Sequence, residues 1–76
     1  MSGRSSAAVE AIRLTVNGET VEARTSTLET LLVELGYGGR KVATALNGEF
    51  VAERNRSTTA LSAGDQIEIV APRQGG

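Results

Sequence analysis

Residues 12–35 read IRLTVNGETVEARTSTLETLLVEL, in which apolar residues first alternate and then recur at every third or fourth position. The alternation predicts two half-buried strands, and Asn17-Gly18 between them favours the positive φ values that a two-residue type I′ turn requires. The later spacing predicts one helix with an apolar stripe that packs on a core. The residues of this stripe are Leu28, Leu31, Leu32 and Leu35.

Polar residues and a glycine mark the expected ends of this helix. Ser26 and Glu29 fit a capping box, in which each side chain satisfies a free backbone N–H group at the helix start. Gly36 is the expected residue just beyond the helix C-terminus, because glycine adopts the left-handed conformation found there. The link that follows, GYGGRK at 36–41, runs from a helix to a strand, which is the wrong order for a phosphate-binding loop.

The second half of the chain predicts strands at 42–46, 49–52 and 66–70. Asn47-Gly48 forms the turn between the first two, and Phe50 is a candidate core aromatic residue. The polar segment 53–60 (ERNRSTTA) predicts a surface crossing with solvated charges. The whole pattern predicts an α+β domain in which one main helix packs across one face of a mixed sheet of four to five strands.

The opposite face of the sheet is expected to be open, near the point where the last strand ends. A face that is exposed and partly apolar is a candidate surface for docking a partner protein. The residues predicted to point outward there are Ala43, Ala45, Glu68 and Val70.

The chain ends in APRQGG at 71–76, and this segment is predicted to be a flexible tail. Pro72 has no backbone N–H group, so the segment is not expected to continue the sheet. A Gly-Gly end can enter a groove too narrow for side chains. The carboxylate of Gly76 is therefore the candidate reactive group. The tail residues expected to be recognised by a partner are Arg73, Gln74 and Gly75.

The composition excludes several classes of protein. The 76 residues contain no Cys and no His, which excludes disulfides, iron-sulfur clusters and zinc sites built from those ligands. A net charge of −1 and two aromatic residues offer neither a basic stripe nor a stacking platform for nucleic acid. No apolar run is long enough to span a membrane. We expect a cytoplasmic monomer with a disordered leader at 1–11 and one domain at 12–70.

Residues 12–76 resemble the ubiquitin-like β-grasp sulfur carriers, and most closely the ThiS family of thiamine biosynthesis. The resemblance depends on the order and spacing of several short segments in a small chain. They are VNGE at 16–19, TLETLL at 27–32, ALNGE at 45–49, AGDQIEIV at 63–70 and the terminal Gly75-Gly76.

The resemblance implies a carrier that is not itself an enzyme and binds no cofactor. In this family an ATP-dependent, E1-like activating enzyme adenylates the terminal carboxylate, here that of Gly76. Sulfur derived from a cysteine persulfide then displaces AMP. The resulting thiocarboxylate donates sulfur to thiazole synthase for the thiazole of thiamine. The partners implied are therefore the activating enzyme, the persulfide donor and thiazole synthase.

Other functions of this fold stay open. Carriers that supply sulfur to molybdopterin or to other metabolites share the architecture. A ubiquitin-like protein modifier would instead join Gly76 to a lysine of a target, and Lys41 as the single lysine of this chain leaves little scope for polymers. A small binding module would keep its function without Gly75-Gly76.

Overall fold

The computed structural model describes residues 11–72, which form one mixed sheet with a helix packed on one face. In chain order the elements are β1 (Ile12–Val16), β2 (Glu19–Ala23), α1 (Leu28–Glu34), β3 (Ala43–Leu46), β4 (Glu49–Val51), a 3₁₀ helix (Glu53–Thr58) and β5 (Gln66–Val70). The strand order is β2-β1-β5-β3-β4. Strands β1 and β5 run parallel, and the other neighbouring pairs are antiparallel. The α+β prediction is confirmed, with the first and last strands side by side.

Both Asn-Gly pairs form the predicted two-residue turns. Asn17 and Gly18 have φ values of 51° and 84°, and Asn47 and Gly48 have values of 51° and 87°. Positive φ at both central positions is the hallmark of the type I′ turn, whose twist matches that of the flanking strands. The turns therefore fix the register of β1 on β2 and of β3 on β4.

Helix α1 begins one residue later than the predicted capping box implies. The N-cap is Thr27, whose hydroxyl accepts the backbone N–H of Thr30 at 3.3 Å. Ser26 instead lies alongside another segment, since its carbonyl accepts the N–H of Leu61. The Ser26 and Glu29 box is therefore wrong, because a long-range contact keeps Ser26 outside the helix. The C-terminus ends as predicted, with Gly36 at a φ of 94°.

The core lies between α1 and one face of the sheet. Three leucines of the predicted stripe, Leu28, Leu31 and Leu32, are buried, and Leu35 packs against the same cluster at its edge. Burial of each such side chain stabilises the fold by about 1.5–3 kcal/mol before entropy is subtracted. The remaining buried apolar residues are Leu14, Val16, Ala23, Leu61, Ile67 and Ile69.

The segment 53–60 is not the fully solvated crossing that its charges predict. Residues 53–58 form the 3₁₀ helix, and Arg56 within it is only 7% exposed. Its guanidinium donates to the carbonyl of Val42 at 2.6 Å and to the hydroxyl of Thr44 at 3.1 Å. Because these two acceptors receive the hydrogen bonds of the guanidinium, the charge can be buried. Among the helices of residues 11–72, none has the length and apolar character needed to cross a bilayer.

Candidate functional site

The four predicted docking residues lie together on neighbouring strands. In the antiparallel register of β3 and β5, Ala43 is opposite Val70 and Ala45 is opposite Glu68. The residues between them, such as Thr44 and Ile69, are buried on the opposite face of the sheet, where the core lies. Because successive side chains of a strand point to opposite faces, all four predicted residues point away from the helix. The structure thus places Ala43, Ala45, Glu68 and Val70 on one surface.

Phe50 belongs to this surface and not to the core. It is opposite Ala45 in the register of β3 and β4, and 72% of its surface is exposed. The core assignment is therefore wrong. The two-residue turn at Asn47-Gly48 predicts the exposed position of Phe50. This turn pairs residue 45 with residue 50, and side chains of paired residues point to the same face of the sheet. We call Ala43, Ala45, Phe50, Glu68 and Val70 the open face.

The open face combines exposed apolar side chains with one acid. Val70 is 63% exposed, and Phe50 lies two strands away on β4. Neighbouring strands are about 4.8 Å apart, so Glu68 lies about 10 Å from Phe50 across the sheet. Large apolar side chains that remain in water are typical of surfaces that bind other proteins.

A shallow cavity of about 310 Å³ lies where the chain leaves the sheet. It is lined by Lys41, Val42, Ala43, Val70 and Pro72, so it shares two residues with the open face. Strand β5 ends at Val70, which agrees with the expectation that Pro72 would not continue the ladder. The open face and this cavity therefore form one continuous surface at the root of the C-terminal segment.

The C-terminal residues on which the predicted chemistry depends lie outside the described part of the chain. Residues 73–76, which contain Arg73, Gln74, Gly75 and Gly76, belong to this group, and so do residues 1–10 of the predicted leader. The predicted disorder of the leader, the flexibility of the tail and the roles of these four residues stay predictions.

Two asparagine side chains hold β5 at its two ends. The side chain of Asn17 accepts the N–H of Ile69 at 2.8 Å and donates to the carbonyl of the same residue at 3.2 Å. At the start of the strand, the side chain of Asn47 accepts the N–H of Gln66 at 2.9 Å and donates to Asp65 at 3.1 Å. The sequence predicts both asparagines only as turn residues, because the alternation of apolar residues in the strands gives no sign of these contacts.

A second cavity, of about 380 Å³, lies on the helix side of the molecule. It is bounded by α1, the 36–41 link and the 3₁₀ helix, and charges of both signs line it, including Glu29, Glu53 and Arg40. The link follows a helix and precedes a strand, as predicted, so it does not have the strand-to-helix order of a phosphate-binding loop. Within residues 11–72, no three acidic side chains are grouped closely enough to hold a metal ion.

Comparisons with known proteins agree with this architecture. A solved structure of the thiamine biosynthesis protein ThiS from Geobacter metallireducens superimposes with a TM-score of 0.70 at 29% sequence identity. The match covers 86% of this chain and all of the Geobacter chain. The fold is thus the ubiquitin-like β-grasp that the sequence predicts.

A curated relative is the thiazole synthase of Paramagnetospirillum magneticum, which is 42% identical over 66 residues. These residues make up 86% of this chain, but the chain spans only about a fifth of the length of that relative. The sequence model that describes the ThiS family matches residues 9–76, which is nearly the whole chain. The β-grasp fold and this match together establish that the chain belongs to the ThiS family.

Proposed function

We propose that this chain is a sulfur carrier for thiamine biosynthesis, with the carboxylate of Gly76 as the group that carries the sulfur. An E1-like activating enzyme joins this carboxylate to the AMP part of ATP and releases pyrophosphate. The outer sulfur of a partner's cysteine persulfide then displaces AMP and forms an acyl disulfide. A second thiol reduces the S–S bond of this intermediate, which releases the thiocarboxylate and leaves the oxidised sulfur as a disulfide of the two thiols. A carboxylate needs such activation because it is a poor electrophile until it is coupled to a good leaving group.

The match to the ThiS family over residues 9–76 is the observation that carries this proposal. The likeness to a thiamine biosynthesis protein supports the choice of pathway. Similarity to part of a thiazole synthase supports that enzyme as the acceptor of the sulfur. The alternatives are a sulfur carrier for molybdopterin or another metabolite and a ubiquitin-like protein modifier.

The surface at the end of β5 suits a carrier that is handled by larger enzymes. Ala71 to Gly76 comprise six residues, which can extend at most about 20 Å beyond the sheet at 3.3–3.6 Å per residue. A partner that binds the open face could therefore receive the terminal carboxylate in a site some distance away. In this proposal the catalytic groups and the ATP belong to the partner, while the chain acts as a cytoplasmic monomer that contributes its acyl end.

The test is the intact mass of the protein after incubation with ATP, an activating enzyme of the family, a persulfide source and a thiol reductant. We expect a mass gain equal to the exchange of one oxygen for one sulfur, located at Gly76 by fragmentation. The matched control is the chain without Gly76, which should show no gain. Addition of thiazole synthase and its other substrates should then return the carrier to its original mass.

Other results would point to the other functions. A thiocarboxylate that thiazole synthase does not consume, but molybdopterin synthase does, would overturn the choice of acceptor. Covalent adducts with other proteins in place of a thiocarboxylate would identify a modifier. A chain that gives neither product would be a binding module, and the carrier proposal would be wrong.

A further inference from the structure

The side chain of Asn17 extends the sheet beyond the point where β1 ends. Strands β1 and β5 run parallel, with Val16 beside Ile67. The last backbone bond between them on this side runs from the N–H of Asn17 to the carbonyl of Ile67, at 2.9 Å. The chain then turns away at Gly18, while β5 continues to Val70. Without another partner, the next backbone groups of β5 on this side would have no strand to pair with.

Those groups belong to Ile69, and the amide of Asn17 pairs with both of them. The N–H of Ile69 donates to Oδ1 of Asn17 at 2.8 Å, and Nδ2 of Asn17 donates to the carbonyl of Ile69 at 3.2 Å. If β1 continued, the carbonyl of Asn17 and the N–H of Glu19 would pair with these two groups, as the N–H groups of Thr15 and Asn17 pair with Asp65 and Ile67. The planar side-chain amide of Asn17 offers the same acceptor and donor. The side chain therefore acts as one more step of the parallel ladder.

This step lies next to the exit of the C-terminal segment. Ile69 precedes Val70, the last residue of β5, and Pro72 follows two residues later. Backbone groups that are paired on both sides keep a strand end from fraying, whereas chain ends with few such contacts open easily. Asn17 thus holds the backbone of β5 one residue before the strand ends.

We propose that Asn17 is a positioning residue for the C-terminal segment, and that its amide presents the segment to the activating enzyme in a fixed direction. The inference rests on the proposed carrier function. Asn17 touches neither ATP nor the terminal carboxylate in this account. Its effect is to reduce the number of residues that must become ordered when the enzyme binds the tail.

The test compares Asn17→Gly with Asn47→Gly. Each variant replaces an Asn-Gly turn with a Gly-Gly turn, which can still adopt positive φ at both positions. Each also removes two side-chain hydrogen bonds from one end of β5. Asn17→Asp is an intermediate case, because its carboxylate still accepts from Ile69 but repels the carbonyl of that residue. The comparison of the two glycine variants therefore distinguishes an effect at the end of β5, where the tail begins, from a general weakening of the strand.

The first readout is backbone amide exchange, followed by NMR in the isolated protein. We expect the amide of Ile69 to exchange about tenfold faster or more in Asn17→Gly, while that of Ile67 stays protected. Asn47→Gly should leave Ile69 unchanged. Equal protection of Ile69 in Asn17→Gly and in the wild type would overturn the positioning role, whatever the activating enzyme does.

The second readout is the rate of tail adenylation by the activating enzyme. In Asn17→Gly the KM for the carrier should rise about tenfold with little change in kcat, since ordering one more residue on binding costs about 1.4 kcal/mol. Asn17→Asp should lie between this variant and the wild type. An equal KM in Asn17→Gly and Asn47→Gly would overturn the proposal, whereas a wild-type chain that is never adenylated would overturn the carrier function itself.

Discussion

Arg56 carries a full positive charge, and yet only 7% of its surface meets solvent. Its guanidinium donates to Val42 and to Thr44 of the β3 region. The hydroxyl of Thr44 in turn donates to the carbonyl of Val51 on β4, at 2.9 Å. A buried network of this kind is stabilising only while every member keeps its partners. Arg56 therefore links the 3₁₀ helix to the hairpin formed by β3 and β4.

Replacing Arg56 with methionine should lower the free energy of unfolding by about 2–3 kcal/mol, because the hydrogen bonds of a charged donor are lost and the carbonyl of Val42 loses this partner. Arg54 lies in the same 3₁₀ helix but is exposed. Arg54→Met is thus the matched control and should change the free energy by about 0.5 kcal/mol or less. Urea denaturation followed by circular dichroism measures both, and equal losses in the two variants would contradict the role of Arg56.

Phe50 and Val70 are expected to be the apolar anchors of the open face. Phe50→Asp or Val70→Asp should weaken binding to the activating enzyme about tenfold, since truncation of an interface residue that matters costs more than 1 kcal/mol. The control is Val33→Asp, because Val33 is 61% exposed but lies on α1. Titration calorimetry measures the affinities. If all three variants bind equally well, the open face is not the docking surface.

Single residues were the hardest feature to predict from the sequence, and Phe50 and Arg56 illustrate why. Hydrophobicity favours a buried Phe50, but the register set by Asn47-Gly48 turns it outward. Charge favours an exposed Arg56, but acceptors from residues 42 and 44 compensate its burial. In both cases a contact between separate strands or segments overrides the preference of the residue itself.

Helix α1 is only seven residues long, so most of its backbone N–H and C=O groups belong to one end or the other. Its start depends on Thr27, which caps Thr30 and also forms an isolated β-bridge with Ala60. Its end depends on Gly36, while the N–H of Tyr37 reaches back to the carbonyl of Leu32 at 2.8 Å. Together these contacts satisfy backbone groups that a short helix leaves free at either end.

Thr27→Ala should destabilise the protein by about 1 kcal/mol, because the N–H of Thr30 loses its side-chain acceptor. Ser26→Ala should have little effect, since the contact of Ser26 with Leu61 is made by its backbone carbonyl. Thermal denaturation of the two variants distinguishes the observed N-cap from the predicted one. A larger loss in Ser26→Ala would show that the cap lies one residue earlier.

Secondary structure was predicted well from the sequence where local chemistry is strong. The two Asn-Gly turns, the leucine stripe of α1 and the alternation in 66–70 each indicate one conformation, and all were confirmed. The 3₁₀ helix was missed because segment 53–60 is polar and has no apolar period. Its position depends on the hydrogen bonds of Arg56 to Val42 and Thr44, which are remote in sequence.

At the scale of the whole molecule, the fold and the proposed chemistry occupy separate parts of the chain. The buried core belongs to residues 14–69, whereas the predicted reactive group is Gly76. The described core and the open face lie within residues 12–70, so we expect the domain to fold without the last residues. Stability and sulfur transfer should therefore respond to different mutations.

Removal of Gly76, or Gly75→Ala, should leave the melting temperature unchanged and abolish formation of the thiocarboxylate. The physical reason is that neither glycine belongs to the described core, while an added Cβ or a shortened tail prevents entry into a narrow groove. Differential scanning calorimetry and intact mass measure the two effects. A lower melting temperature with normal sulfur loading would contradict both parts of this prediction.

The candidate site was predicted in outline, because the period of β3 and β5 already places Ala43, Ala45, Glu68 and Val70 on one face. The alternation does not determine that β3 and β5 are adjacent, and the register that makes these residues neighbours depends on this strand order. Phe50 and the bonds between Asn17 and Ile69 were missing from the sequence-based site, since both arise from pairing between segments.

The hydrogen bonds of Asn17 also bear on its chemical stability, because Asn17 precedes a glycine. An asparagine before a glycine deamidates readily, because the nitrogen of the glycine can attack the side-chain amide and close a succinimide ring. In this chain two hydrogen bonds to the backbone of Ile69 restrain the side-chain amide of Asn17. We therefore expect deamidation at Asn17 to be faster when these two bonds open, so that its accumulation in stored protein would report on the opening of the end of β5.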